Sequence, residues 1–235
     1  MPAPFDRVFF DCDSTLSRVE GIDELAQRVG LSEAIAPLTR AAMEGRLTLE
    51  EIYQRRLDLI RPDVAAIDWL GERYIAALVE GAQEAVAVLH SLGKQVHIIS
   101  AGVRQAVLIL GQALAIPKTR IHAVELCFDS RGAYAGFDTG SSLARSGGKA
   151  VVCRQVLADG LSAALIGDGI TDLEAASVGV FVVGFGGVAR REAVVRGADI
   201  FVTGPSLRAV LDVILSAEEQ ERLIRNGRRA LLSEN

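Results

Sequence analysis

The sequence predicts an α/β fold, a parallel-sheet core with a small helical cap inserted after the first strand. Three observations predict it. Short apolar runs at 8–10 (VFF), 96–99 (VHII) and 163–166 (AALI) alternate with helical patterns, as the buried strands of a parallel sheet do. Residues 17–78 carry helical spacing without a strand, which is too long for an ordinary crossover. Each apolar run also ends in chemistry-bearing residues: Asp11, Ser100 and Gly167-Asp168. In open parallel sheets, ligands bind beyond the carboxyl ends of the strands.

In chain order, the first strand is followed by Ile22, Leu25, Ala26 and Val29 at three- and four-residue spacing, a helix stopping at Gly30. Ser32 is placed to cap a second helix, whose apolar face runs over 38–43 until Gly45 interrupts it. Thr48 and Glu51 form a capping-box pattern ahead of Ile52, Leu57 and Ile60, with Pro62 closing that helix. Asp63 caps a fourth helix containing Ile67, Leu70 and Tyr74. These helices define a cap, or lid, over 17–78, leaving 1–16 and 79–235 as the core domain.

From Gly81 the alternation returns. A helix through Ala85, Val88 and Leu89 ends at Gly93, the strand 96–99 terminates in Ser100, and a helix spans 103–114. A hairpin of 124–128 and 133–137 turns on Ser130-Arg131-Gly132. Ser146-Gly147-Gly148-Lys149 opens a helix to about residue 158, and the strand 163–166 runs into Gly167-Asp168-Gly169-Ile170-Thr171-Asp172. Strands at 180–183 and 200–202 follow, and Leu223, Ile224 and Leu231 mark a last amphipathic helix.

With 235 residues, 50% of them hydrophobic and 23% charged, the chain can bury a sizeable core. A net charge of −5 argues against nucleic acid, and the basic run at 222–229 reads as a solvated helix face. Cys12, Cys127 and Cys153 are widely spaced and lack metal-ligand partners, so they read as reduced core or near-core residues. No signal peptide precedes Asp11 and no apolar run is long enough to span a bilayer, so a cytoplasmic, soluble protein is expected.

On a strand, Asp11 and Asp13 share a face. Crowded carboxylates repel, so one ionises while its neighbour's pKa rises. That division suits one nucleophile or metal ligand and one general acid. With Asp168 they make a hard, oxygen-rich site suited to Mg²⁺. Lys149 adds positive charge, Ser100 and Thr15 add hydroxyl donors, and backbone N–H groups at Gly102 and around Ser14 are placed to cradle an anion. The set describes phosphoryl transfer: Asp11 would attack phosphorus, and Asp13 would protonate the leaving oxygen and then deprotonate water. Taken singly, Lys149 reads as a surface lysine, Ser100 and Asp172 as helix caps. Gly147-Gly148-Lys149 is not a P-loop, because the earlier glycine is missing and Ala150 replaces Ser/Thr. His90, His97 and His122 show no ligand spacing.

DCDST, Ser100, Lys149 and GDGITD resemble, in order, the four motifs of the haloacid dehalogenase superfamily, whose core is Rossmann-like. More narrowly the chain resembles the phosphoserine phosphatases from about Phe5 to Leu215, through DSTLSRVEGIDELA, RLDLI, YAGFD, SGGK and IGDGITDLEA. The resemblance implies Asp11 as nucleophile and Asp13 as acid/base. It implies Mg²⁺ held by Asp11, the Asp13 carbonyl and Asp168, with Asp172 and Thr171 in support. Ser100, Ala101, Gly102, Thr15 and Lys149 would bind phosphate, Glu20 the substrate ammonium and Arg56 its carboxylate, with Met43 as an apolar lid contact. The sequence departs from the family at Ala101, Val103 and Leu49, where the family carries glycine and two aromatics. The expected partner is a small phosphomonoester, phosphoserine first, with the chain a monomer or homodimer. The alternative is a phosphatase or phosphotransferase acting on another small phosphorylated amino acid or metabolite. A phospho-accepting receiver domain is half this length and lacks both a lid and a residue like Asp13. An inactive binding module would be expected to lack a catalytic group, and none is missing.

Overall fold

The computed structural model describes residues 5–43, 46–157, 161–227 and 232, the side chains of residues 42 and 43 excepted. Gly45, residue 158, Leu231 and residues 228–229 of the basic run, singled out above, lie outside the described residues.

Phe9 and Phe10 point to opposite faces of β1 (Arg7–Phe10) and both are fully buried, so the sheet must be covered on each side. Four helices follow: α1 (Gly21–Arg28), α2 (Ser32–Met43), α3 (Leu49–Ile60) and α4 (Val64–Ala76). Thr48 and Glu51 form the reciprocal capping box of α3, and Asp63 caps α4 by accepting from Ala66 N. The chain leaves and returns through a paired neck, in which Arg18 N donates to Ala77 O (2.8 Å) and Val79 N to Leu16 O (3.0 Å).

Next come α5 (Ala82–Ser91), β2 (Gln95–Val103), α6 (Arg104–Ala113), β3 (Ile121–Val124), the antiparallel pair β4 (Leu126–Phe128) and β5 (Tyr134–Phe137), and α7 (Gly148–Val156). The chain closes with β6 (Ala163–Gly167), α8 (Ile170–Leu173), β7 (Phe181–Phe185), α9 (Glu192–Gly197), β8 (Ile200–Val202), α10 (Leu211–Ile214) and α11 (Ala217–Arg225). The main sheet has six parallel strands in the order β3-β2-β1-β6-β7-β8. Succession therefore runs outward from β1 on one side and from β6 on the other, which opens a crevice at their carboxyl ends.

Four expectations need correction. The second strand does not stop at Ser100 but continues to Val103, with a register shift against β3. Val124 pairs with Val103 in the main sheet rather than in the hairpin, because the apolar run 124–128 crosses between two sheets and apolarity does not say which partner a strand takes. Cys127 is exposed while Cys12 and Cys153 are buried, since an isolated two-stranded hairpin leaves one face open. Asp11 and Asp13 lie beyond the end of β1, in the turn that follows it.

His97, opposite Phe9 in β2, is buried and shares a hydrogen bond between its Nδ1 and His122 Nε2 (3.2 Å). Burial, with His122, Arg120 and Arg7 adding positive charge, lowers its pKa to about 3. The folded protein keeps His97 neutral where the unfolded chain protonates, so its contribution is complete above pH 6.5 and lost as pH falls toward 3. Stability should drop by up to about 1.4 kcal/mol per pH unit in that window from this group. His97→Gln should flatten the acid limb of urea midpoints measured from pH 7 to 5. Parallel limbs for both proteins would mean His97 protonates within the fold.

Candidate active site

Asp11 N still donates to Ile166 O (2.9 Å), so the sheet fixes its backbone. Directly after it the chain turns back, with Leu16 N and Ser17 N both donating to Cys12 O at 3.0 Å. Ser14 takes φ 55°, in the left-handed region that costs a non-glycine residue about 1–2 kcal/mol. In that conformation its Oγ donates to Glu20 Oε1 (2.7 Å), so the strained turn is tied to the start of α1.

Lys149, in the first turn of α7, is buried between Asp11 (2.8 Å) and Asp172 (2.6 Å). Burial alone would discharge it, but the two carboxylates outweigh burial and hold its pKa above the usual value. Asp172 is fully buried; its Oδ1 accepts from Lys149 and its Oδ2 from Gly169 N (2.9 Å). Burial pushes it up to about 7 against the pull of Lys149. Position 167 must be glycine here, because a Cβ would sit 2.1 Å from Asp172 Cγ.

Asp13 Oδ1 accepts from Gly21 N (2.8 Å) and from the Tyr74 hydroxyl (2.7 Å). Its Oδ2 lies over Gly102, where a Cβ would come within 3.2 Å of it and 3.0 Å of Ser100 Oγ. Ser100 Oγ itself accepts from Gly102 N (2.9 Å). Burial first, then the charge of Asp11, raises Asp13 to about 6. A carboxyl protonated over part of the neutral range is suited to give up a proton and take it back.

Asp11, Asp168 and Asp172 each offer an oxygen within 4.8 Å of the others, a buried acidic group of hard donors that fits a divalent cation. Asp168 accepts from Thr15 Oγ1 on Oδ1 (3.3 Å), and burial with Asp11 raises it to about 6. A cavity of about 400 Å³ joins this centre to Glu20 and Arg56 from the helical segment. Arg56 is buried, with one nitrogen on Thr39 Oγ1 (3.4 Å) and its buried Nε without a hydrogen-bond partner.

Ser100, Ala101, Gly102, Thr171, Leu49 and Val103 line the same cavity. Thr15 is fully buried behind Asp168, so its hydroxyl is committed to that carboxylate rather than aimed at a phosphate. Met43 ends α2, and its side chain lies outside the described part of the structure. Sequence reasoning missed Tyr74, Thr39 and Arg191. Tyr74 read as one more apolar face residue of α4. Arg191, on Asp168 and Glu20, follows a strand end at Gly186-Gly187, and that position was the available signal.

The model of the haloacid dehalogenase-like hydrolases matches residues 8–177. The phosphoserine phosphatase of Drosophila melanogaster is 38% identical over 200 residues, covering 83% of this chain and 74% of that one. The Homo sapiens phosphoserine phosphatase is 38% identical over 201 residues, covering 84% and 89%. Among solved structures, a phospho-aspartyl intermediate analogue of a phosphoserine phosphatase superposes with a TM-score of 0.75 at 26% identity, covering 91% of this chain and all of that one.

Proposed function

The chain belongs to the haloacid dehalogenase-like hydrolases, and on that premise we propose that it is a Mg²⁺-dependent phosphomonoester hydrolase whose substrate is O-phosphoserine. The observation that carries this reading is one cavity lined both by Asp11, Asp13 and Lys149 and by Glu20 and Arg56. The first group performs phosphoryl transfer; the second suits an amino acid, since guanidinium forks onto carboxylate and Glu accepts from ammonium.

In the first half-reaction an Asp11 oxygen attacks phosphorus while the bond from phosphorus to the serine oxygen breaks, and Asp13 protonates that oxygen. In the second, Asp13 takes a proton from water as the water oxygen attacks the aspartyl phosphate. The bond from phosphorus to Asp11 then breaks, and phosphate leaves. Lys149 and Ser100 hold the phosphoryl oxygens. Asp11, Asp168 and the Asp13 carbonyl would hold Mg²⁺, with Asp172 anchoring Lys149 and the 167–169 turn. The bound cation would neutralise charge developing on the phosphoryl oxygens. Tyr74 and Gly21 fix Asp13 Oδ1 and leave Oδ2 toward Ser100. Residues 17–78 form the lid domain over a core of 1–16 and 79–235, the neck at 16–18 and 77–79 being its hinge. Buried free Cys12 and Cys153 suit a reducing, cytoplasmic setting.

The test is phosphate release from L-phosphoserine with and without Mg²⁺, beside a panel of small phosphomonoesters. Mg²⁺-dependent preference for phosphoserine supports the reading. Good turnover of the panel with poor phosphoserine hydrolysis would move the substrate and implicate Leu49, Ala101 and Val103, which line the cavity. Arg56→Ala should cost about 10- to 100-fold in kcat/KM on phosphoserine, the worth of a charge-assisted contact. It should change an aryl phosphate severalfold at most; equal losses on both would make Arg56 a structural residue.

A further inference from the structure

The chemistry above uses no part of Arg191, yet that side chain touches both halves of the site. It lies between β7 and α9, beyond a strand end of the core. Its Nε (3.0 Å) and Nη2 (2.8 Å) donate to Asp168 Oδ2, and Nη2 also reaches Glu20 Oε1 at 3.3 Å. Asp168 follows β6, whereas Glu20 is the N-cap of α1, where the chain enters the helical segment. One guanidinium therefore spans the carboxylate expected to hold the cation and the carboxylate expected to meet the substrate ammonium. Asp168 is buried beside Asp11, and Glu20 faces the same cavity as Asp13, so each acid gains from such a partner.

We propose that Arg191 is a positioning residue that couples cation binding to substrate recognition. In the metal-free enzyme its guanidinium serves as the counter-ion of Asp168. Asp168 would be shared between that guanidinium and a bound divalent cation, so the two would compete for its carboxylate, and Glu20 would remain as the acceptor that keeps Arg191 in the site. Glu20 is thereby oriented from the core loop as well as from Ser14. Asp168 keeps a separate hold on Thr15 Oγ1, so removing Arg191 does not leave that carboxylate unheld. The Glu20 half of this proposal rests on the phosphoserine reading; the Asp168 half rests only on the ion pair and the acidic cluster.

The experiment is calorimetric titration of Mg²⁺, without substrate, into chelator-stripped full-length enzyme, for wild type, Arg191→Gln and Arg191→Lys. With the competing charge gone, Arg191→Gln should bind Mg²⁺ about tenfold more tightly, a coupling of ordinary size. Arg191→Lys, which keeps charge but loses the planar fork, should fall between. Unchanged or weaker Mg²⁺ binding in a variant that melts within a few degrees of wild type overturns the coupling. Should Arg191→Gln fail to fold, the lysine variant decides alone, a severalfold tightening supporting the proposal and none overturning it. At saturating Mg²⁺, the ratio of KM for phosphoserine to KM for an aryl phosphate should rise about tenfold in Arg191→Gln, a shift a merely structural residue would not produce. A constant ratio overturns the Glu20 half. If wild type does not hydrolyse phosphoserine, the substrate reading falls while the calorimetry still decides on Arg191.

Discussion

Asp11→Asn is expected to abolish phosphoserine turnover, a loss of about 10⁴-fold or more, while the fold survives. The amide is nearly isosteric with the carboxylate but has no lone pair able to displace an alkoxide from phosphorus. The sheet holds the Asp11 backbone through Ile166 O, so the substitution leaves β1 and its ladder unchanged. Lys149 loses one partner but keeps Asp172 at 2.6 Å. Removing one negative charge also relieves Asp13 and Asp168, both of which it presses upward, so the melting temperature should hold or rise slightly. Two measurements check this: phosphate release, and acid-quenched trapping of labelled phosphoenzyme, which wild type forms and the variant does not. Activity above a few per cent of wild type would remove Asp11 from the nucleophile role.

Lys149→Met should damage stability and catalysis together. The side chain keeps its length, but the ammonium between Asp11 and Asp172 disappears and leaves buried carboxylates unpaired. Breaking a buried pair from one side costs about 3–5 kcal/mol. For a chain of this size that lowers the melting temperature by roughly 10 °C. Loss of a fixed positive charge at the phosphoryl site should lower kcat by about 10²–10³-fold. The stability deficit should shrink as pH falls. Asp172 already lies near 7 through burial, so without Lys149 it takes up a proton in the folded state before the unfolded chain does, and acid then favours folding. Melting curves from pH 8 to 6 in the absence of Mg²⁺ check the sign. A deficit that grows toward acid would mean Asp172 stays ionised by another partner.

What was legible in the sequence was local in the chain. Asp11, Ser100 and Asp168 each sit at or just past an apolar run, and a parallel sheet brings such positions together at one edge whatever the loops between them do. Caps are equally local: Thr48 with Glu51 and Asp63 with Ala66 N bond within three residues, so spacing alone predicts them. That Lys149 belongs beside Asp11 was legible from its company in the motif set, although a lone lysine at the start of a helix says nothing of burial.

Tertiary structure alone decided which partner each group takes. That Val124 joins the main sheet depends on the shifted pairing of β2 with β3, and apolar pattern carries no pairing information. Thr15 looked like a phosphate donor until the fold set Asp168 within reach of its hydroxyl. Tyr74 meets Asp13 across 61 residues and Arg191 meets Glu20 across 171, each through a return of the chain that no motif spacing encodes. The sequence by itself determined the fold class and the strand-end chemistry, because backbone periodicity places those residues. The hydrogen bonds and ion pairs that orient them were decided by packing, because they join segments whose proximity exists only after the helical segment and the sheet have folded against each other.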